Sequence, residues 1–417
     1  MKKTLAAVAV LGAFAGSALA ADVTLYGKID TGLSYKNVDA DTLAEGDAGK
    51  YTLGSIENDS FGLKSGINSG SRFGIKGTEQ ISEGLTVGFQ LENGFESDDG
   101  TSKYGKEDKT DRIFGREARL FVQTEFGTLH LGRMGGLDSG SGSVDIFGGN
   151  AGAFGTGWSS IGDDTVIFRG MSGRMDNVIA YQSPKFGGVT VYAQASLKSD
   201  NSNEGEEGSS DTDRYYALGA TGQWGALSGA LVFSTTDYNR TWTNDKTAIE
   251  DGEAREDNSK VLSAFVAYDF GVVKTTLGAQ YFDDVKGYDL GNITATYKYT
   301  NDDSEEAVGD YADVAKNLSQ KGYGVMLGAK APVGAGTLYA SVGYTDFEST
   351  MDSDVAKLEG DGYQFGIGYT YPLSKRTYVY TAAGYTKLSH DYQQAGYDKQ
   401  SLDDESTEVV AGIVHNF

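Results

Sequence analysis

Cysteine is absent from the sequence. That removes disulfides from any account of stability but says little about compartment, because many exported proteins carry none. Basic residues are scarce beside acidic ones, 35 Lys and Arg against 59 Asp and Glu, for a formal net charge of -24. Such a balance argues against nucleic acid, which recruits cations to neutralise phosphates. Apolar residues reach only 39% in a chain of 417. A large soluble protein would struggle to fill its cores with so few, whereas a barrel with a water-filled interior needs only one apolar face per strand. Histidine occurs three times, at His130, His390 and His415. Their separation fits neither a metal site nor a catalytic triad, so no metal, cofactor or enzymatic activity is expected.

Long hydrophobic runs are missing too. The one apolar stretch, Leu5 to Phe14, is shorter than the about 20 residues a spanning helix needs. Preceded by Lys2 and Lys3 and followed by Ala18-Leu19-Ala20, it reads as a secretory signal peptide over residues 1–20, leaving a mature domain of residues 21–417. An exported chain without a hydrophobic helix is periplasmic, secreted or an outer-membrane barrel, and barrel strands betray themselves only by alternation.

Alternation is what the mature chain has. Val23, Leu25 and Ile29 share one face, opposite Thr24, Tyr26, Lys28 and Asp30. Ser71 to Glu79 sets Phe73 and Ile75 against Arg72 and Lys76. Leu85, Val87, Phe89 and Leu91 oppose Thr86, Gln90 and Glu92, and Ala118, Leu120 and Val122 oppose Arg119, Phe121 and Gln123. About 16 such segments follow one another to the C-terminus, an even number in the range that leaves an aqueous channel. Ile293 to Tyr299 also alternates and would add a strand.

Connections come in two lengths that alternate. Tight turns such as Glu125-Phe126-Gly127, Pro184 to Gly188, Gln223 to Ala226 and Asp269-Phe270-Gly271 separate long polar loops, among them Asp98 to Arg112, Asn239 to Asn258, Asp283 to Gln320 and Glu348 to Gly360. Short turns at one end and long loops at the other describe an outer-membrane barrel. Pro184, Pro332 and Pro372 sit at short turns, where no ladder hydrogen bond is lost. Phe126, Phe186, Trp224 and Phe270, each before a Gly, are placed to form an aromatic girdle there.

The stretch Gly135 to Gly173 has neither helical nor strand period. So long a structureless segment is uncommon unless functional. Lying between two strands, it is expected to fold into the barrel and narrow its lumen, with Asp138, Asp145, Asp163 and Asp164 on it.

GSRFGIKGTE followed by LTVGFQLENGF resembles the second and third strands of Gram-negative general diffusion porins of the beta-proteobacterial and neisserial type. RMDNVIAYQSPKFGGVTVYAQ is similar to the segment after their constriction loop, and AGIVHNF, ending at Phe417, to their C-terminal assembly signal. The likeness is motif-like over roughly Asp22 to Gln194 and the last strand. The third loop is Gly-rich and lacks the Pro-Glu-Phe-Gly signature of enteric porins. The resemblance implies an all-β transmembrane antiparallel barrel of about 16 strands with an inward third loop, embedded in outer-membrane lipid. It also implies a homotrimer, delivery by the barrel assembly machinery and passive diffusion of small hydrophilic solutes and ions.

In such porins a basic wall faces acidic groups of the loop. Arg72, Lys76 and Arg119 point inward by parity, and so does Arg174 if Ile179 and Tyr181 face lipid. The family's pattern favours Arg116 over Arg119, and both can be inward only with a bulge. Arg133 ends its strand just before the loop. A lipid-facing cation costs about 2–4 kcal/mol at the midplane, so cations inside strands must face water. The rivals are a substrate-specific channel with more strands and an inward aromatic ladder, an outer-membrane phospholipase, and an adhesin or structural barrel.

Overall fold

Alternating faces leave the strands nothing to do but pair with one another, and they close into a ring. The computed structural model describes residues 21–46, 50–104, 112–159, 161–162, 164–199, 207, 212–238, 241–242, 254–255, 258–285, 296–300, 306–310, 319–350, 356–394 and 398–417. Residues 1–20, read as the signal peptide, lie outside them.

The first strands are β1 (Ala21–Gly46), β2 (Lys50–Ser65), β3 (Arg72–Ser82), β4 (Leu85–Gly94), β5 (Glu117–Thr124) and β6 (Gly127–Gly135). After the inward loop come β7 (Arg174–Gln182), β8 (Val189–Ser196), β9 (Arg214–Trp224) and β10 (Leu227–Asp237). Two short pieces, β11 (Thr241–Trp242) and β12 (Ala254–Arg255), pair only with each other, as do β15 (Thr296–Thr300) and β16 (Glu306–Asp310). The barrel continues with β13 (Lys260–Asp269), β14 (Lys274–Val285), β17 (Gln320–Val333), β18 (Gly336–Ser349), β19 (Ala356–Pro372), β20 (Thr377–Gln394) and β21 (Gln400–Asn416). Apart from β2 and β3, successive barrel strands pair antiparallel, and β21 returns to β1 from Lys28↔Asn416 to Ala40↔Asp404. The ring closes through β1, β3–β10, β13, β14 and β17–β21, each paired on both sides as a membrane requires, while β2 pairs among the described residues with β1 alone.

The 17 strands of this sheet fill 16 positions. The second position is split: β2 pairs with Thr31–Gly46 of β1, and β3 with Ala21–Lys28 of the same strand. Between them residues 66–71 leave the ladder and turn inward, where the Asp30 carboxylate accepts the N–H groups of Asn68 and Ser69 at 2.7 Å each.

Outward positions carry Leu25, Leu33, Phe61, Leu120, Leu231, Leu277, Leu327, Ile367 and Ile413, all exposed. Phe126, Phe186, Trp224 and Phe270 stand at the short turns with 74%, 58%, 55% and 59% of their surface open, as a girdle demands. Several strands run further than the apolar alternation does. The polar stretch after Ile29 is hairpin, and of the loop expected over Glu348 to Gly360 the described residues 348–349 and 356–360 are strand. Beyond the lipid band both faces meet water, so the ladder persists while the apolar period fades. The alternation at Ile293 to Tyr299 adds no barrel strand; its described part, from Thr296, belongs to the separate β15–β16 hairpin.

From Gly135 the chain enters the lumen and lies along the wall. Leu137, Val144, Ile146, Phe147, Ala151, Ile167 and Phe168 form one dry cluster with Val178, Ala180, Tyr215, Ala217, Val232 and Met326 of the strands. Ala153, Phe154, Trp158 and Ile161 form a second with Tyr380, Ala382, Val410, Val414 and Ile67. Each fully buried Leu, Ile or Phe contributes about 1.5–3 kcal/mol at most. Ser159 N–H donates to Ile67 O at 2.7 Å, tying the loop to the inward turn of the split strand.

Candidate functional site

The loop-side ends of the short strands set cations on adjacent rungs. Lys28 of β1 stands opposite Arg72 of β3, Arg72 opposite Gly94 of β4, Ala118 opposite Arg133 between β5 and β6, and Gly135 opposite Arg174 of β7. Arg116, one residue before β5, gives its Nε to Glu92 Oε1 at 2.7 Å. The other Glu92 oxygen accepts Tyr26 OH at 3.0 Å and lies 3.8 Å from Arg72 Nε. Arg72 Nη2 and Lys28 Nζ both donate to Ser69 Oγ at 3.3 Å. Asp176 holds Arg133 Nη1 at 2.6 Å and Arg112 Nη2 at 2.7 Å. Arg174 Nη1 donates to Tyr104 OH at 3.1 Å, and Arg112, Arg133 and Arg174 line a cavity of about 310 Å³.

One tier nearer the short turns, Lys76 Nζ lies 5.2 Å over the Tyr26 ring. Arg119 donates to Gln90 Oε1 at 2.8 Å and to His130 Nδ1 at 2.7 Å, and pairs with Glu117 at 2.9 Å. Because arginine only donates, His130 accepts at Nδ1. All six basic residues expected from the sequence thus come together on one sector of the wall, from β3 to β7. The bulge expected between Arg116 and Arg119 is not there: the β4–β5 register is unbroken, and Arg116 reaches inward because it precedes the strand. The irregularity lies in β6 instead, between Gly132 at φ +125° and Met134, and it brings Arg133 to Asp176.

Two of the four loop carboxylates, Asp138 and Asp145, are placed differently from the expectation. Asp138 has no exposed surface; it accepts Tyr215 OH at 3.0 Å, Ser234 Oγ at 2.6 Å and both the N–H and hydroxyl of Ser172. It ties the two ends of the loop to β9 and β10 and does not face the lumen. Asp145 accepts backbone N–H groups of Gly140, Phe147, Gly148 and Gly149, a turn that closes on its own carboxylate. Burial pushes that carboxyl up, against the pull of the four N–H groups. Asp163 lies outside the described residues, and Asp164 opens the helical turn Asp164–Ile167.

Among the described residues, the carboxylates that face the basic sector come from the wall. Parity would have found Glu92 and Lys28, which share the inner face with Gln90 and Tyr26, and Glu117, two residues from Arg119. The same parity that turns Arg174 inward would have found Asp176, two residues on; Arg112 carried no such signal, because it lies in a loop. The loop meets this sector through Ser143, whose hydroxyl donates to Glu117 Oε2 at 2.9 Å. Phe417 closes the barrel beside the N-terminal strand, with N–H to Gly27 O at 3.0 Å and O from Gly27 N–H at 3.1 Å.

Over residues 6–391 the chain matches the Gram-negative porin family. An outer membrane porin protein of Bordetella pertussis is 30% identical over 426 residues, covering 100% of both chains. Outer membrane porin protein 32 of Delftia acidovorans is 28% identical over 435 residues, again covering 100% of both. Among solved structures, the anion-selective porin from Comamonas acidovorans superposes with a TM-score of 0.57 at 23% identity, covering 95% of this chain and 100% of that one.

Proposed function

The chain belongs to the Gram-negative porin family and is an outer-membrane channel for passive diffusion of small solutes, and from that premise we propose that its narrowest point prefers anions. The aperture lies between the inner edge of the loop and the basic sector of β1 and β3–β7. The observation that carries this reading is the row Lys28, Arg72, Arg116, Arg133 and Arg174, backed by Lys76 and Arg119, whose countercharges Glu92, Glu117 and Asp176 are fewer and already hydrogen-bonded. Cations close to a permeating ion, beside low-dielectric walls, outweigh acidic external loops that salt screens beyond about 8 Å. Asp138 and Asp145 oppose them less than their position in the sequence suggests, since one is buried and the other is turned into its own loop. The anion selectivity stated for the Comamonas porin agrees in sign.

Three copies assemble as in the family, the N-terminal 20 residues are removed on export, and Phe417 serves the assembly machinery. On this reading the histidines are structural: His130 is held by Arg119, His415 by Thr377, and His390 is buried in β20. Reversal potential in a planar bilayer under a salt gradient tests the selectivity. Arg72→Gln with Arg174→Gln should shift it toward cations, more at low salt than at high. No shift at low salt would remove this row from the constriction.

A further inference from the structure

On the short-turn side of the loop the wall carries a second set of cations that the constriction does not use. Lys274 opens β14, Lys330 lies near the end of β17, and the register sets them directly opposite each other. Both share the parity of Gly278 and Gly328, while Leu277 and Leu327 face lipid. Gly278 packs on Ala151 of the loop and Gly328 on Ala153, so the two lysines lie immediately beneath it.

Like charges directly opposite across a ladder are destabilising. Neither lysine has an ion pair among the described residues; Lys330 Nζ lies 5.6 Å over the Tyr339 ring. Lys274 lines two adjoining cavities of about 310 and 340 Å³, and the first also carries Lys185, Tyr192, Gln223 and Ser228. Two carboxylates border this space. Asp145 spends both oxygens on the loop's own N–H groups, and Asp269 Oδ1 accepts Gly271 N–H at 2.8 Å. Lys330 lines neither cavity but stands on the rung paired with Lys274, and an anion of charge two at the mouth of this space would offset the repulsion between the paired lysines.

We propose that Lys274 and Lys330, with Lys185 across the cavity, form a second binding station for small doubly charged oxyanions, on the short-turn side of the loop. It rests on the anion-preferring reading above: the basic row draws the anion through the aperture, and the lysines receive it on the far side. Sulfate is the probe, because its charge does not change over the working pH range. Chloride current through single channels of the full-length protein is measured with sulfate added to one side and then to the other.

The wild type should be blocked from both sides. Lys274→Gln with Lys330→Gln should weaken block from one side roughly tenfold, the change that one charge-assisted hydrogen bond brings. Arg72→Gln with Arg174→Gln should weaken block from the opposite side. Lys274→Arg with Lys330→Arg should keep the block, which separates lost charge from a damaged fold. The proposal is overturned if the glutamine pair leaves block from both sides unchanged, or if the two glutamine pairs weaken block from the same side. Failure of the selectivity reading looks different, as an unshifted reversal potential in the arginine variant.

Discussion

Removing Asp138 separates two roles that one loop carboxylate can have. If it faced the permeating ion, replacing it with Asn would move the reversal potential toward anions. In the structure it has no exposed surface, and its oxygens receive Tyr215 OH, Ser234 Oγ and two donors of Ser172. Tyr215 and Ser234 are themselves 2% exposed, so Asp138→Ala leaves two buried hydroxyls without their acceptor. At about 1–3 kcal/mol for each orphaned group, the cost is roughly 2–6 kcal/mol, an upper range because such terms do not add strictly. Against it stand Leu137, Phe147, Ile167 and Phe168, all buried against the wall and worth on the order of 6–12 kcal/mol together. The loop should therefore stay in the lumen while its roots loosen. Single-channel recording should show added current noise and a modest change in conductance for Asp138→Ala. Asp138→Asn, which keeps an acceptor oxygen, should leave the reversal potential close to that of the wild type. If Asp138→Asn shifts selectivity toward anions as far as Arg72→Gln shifts it toward cations, the carboxylate acts on the ion and the anchor reasoning is wrong.

Excising Gly140 to Gly162 should raise conductance and admit larger solutes in a liposome-swelling assay; unchanged conductance would place the loop outside the aperture. Gly328→Leu drives a side chain into Ala153, whose backbone N already stands 2.5 Å from where a Cβ would sit. An overpacking cost of about 1–3 kcal/mol should displace the loop, read as a conductance change with the barrel still resistant to protease. Deleting Phe417 removes both of its hydrogen bonds to Gly27, and the heat-modifiable folded barrel on a gel should fall. Leu231→Arg, on the lipid face of β10, should lower folding stability in vesicles by about 2–4 kcal/mol, as read from urea midpoints.

The sequence was most legible where chemistry imposed a period of two. Leu85 to Leu91 read as one lipid face because every second residue met hydrocarbon, and the tight turns at Phe126, Phe186, Trp224 and Phe270 marked one end. Legibility failed where the period was lost without the pairing being lost. Leu33, Tyr35, Phe61 and Leu63 do alternate outward, but lie among so many polar residues that the β1–β2 hairpin looked like loop. It failed again at Asp138 and Asp145. An acidic residue in a Gly- and Ser-rich stretch looks solvated, and only the fold reveals the tyrosine, serine and backbone donors that surround it. The basic residues were found because an inward charge in a strand is demanded by lipid on the other side, an argument that does not hold for a loop.

The chain carries 59 glycines, about twice the usual share; unexplained by strand propensity, the excess is partly accounted for by the same loop. Gly219, Gly278, Gly324, Gly328, Gly343, Gly366, Gly368 and Gly384 all face the lumen, and an added Cβ at each would meet an atom of Leu137, Ile146, Ala151, Ala153, Phe154, Trp158, Ile161, Gly162, Ile167 or Phe168. A glycine inside a strand costs roughly 0.5–1 kcal/mol relative to alanine, so this set opposes barrel stability by several kcal/mol. What offsets it is the burial of the loop's large apolar side chains, each worth more than one such glycine. The exchange has a functional consequence, because these glycines lie on β9, β14 and β17–β20 and none on β1 or β3–β7. The loop is drawn flat against the glycine sector, and the space left open is bounded by the sector that carries Lys28, Arg72, Lys76, Arg116, Arg119, Arg133 and Arg174. Where the wall is smooth enough for a backbone to lie on it, the pore is filled; where it carries long cationic side chains, the path remains. Aperture position and its charge are then one property of the wall, set by which strands carry glycine against the loop and which carry arginine, since inner-face glycines of the basic sector such as Gly74 and Gly94 lie against Tyr26, Tyr104 and Arg116 instead.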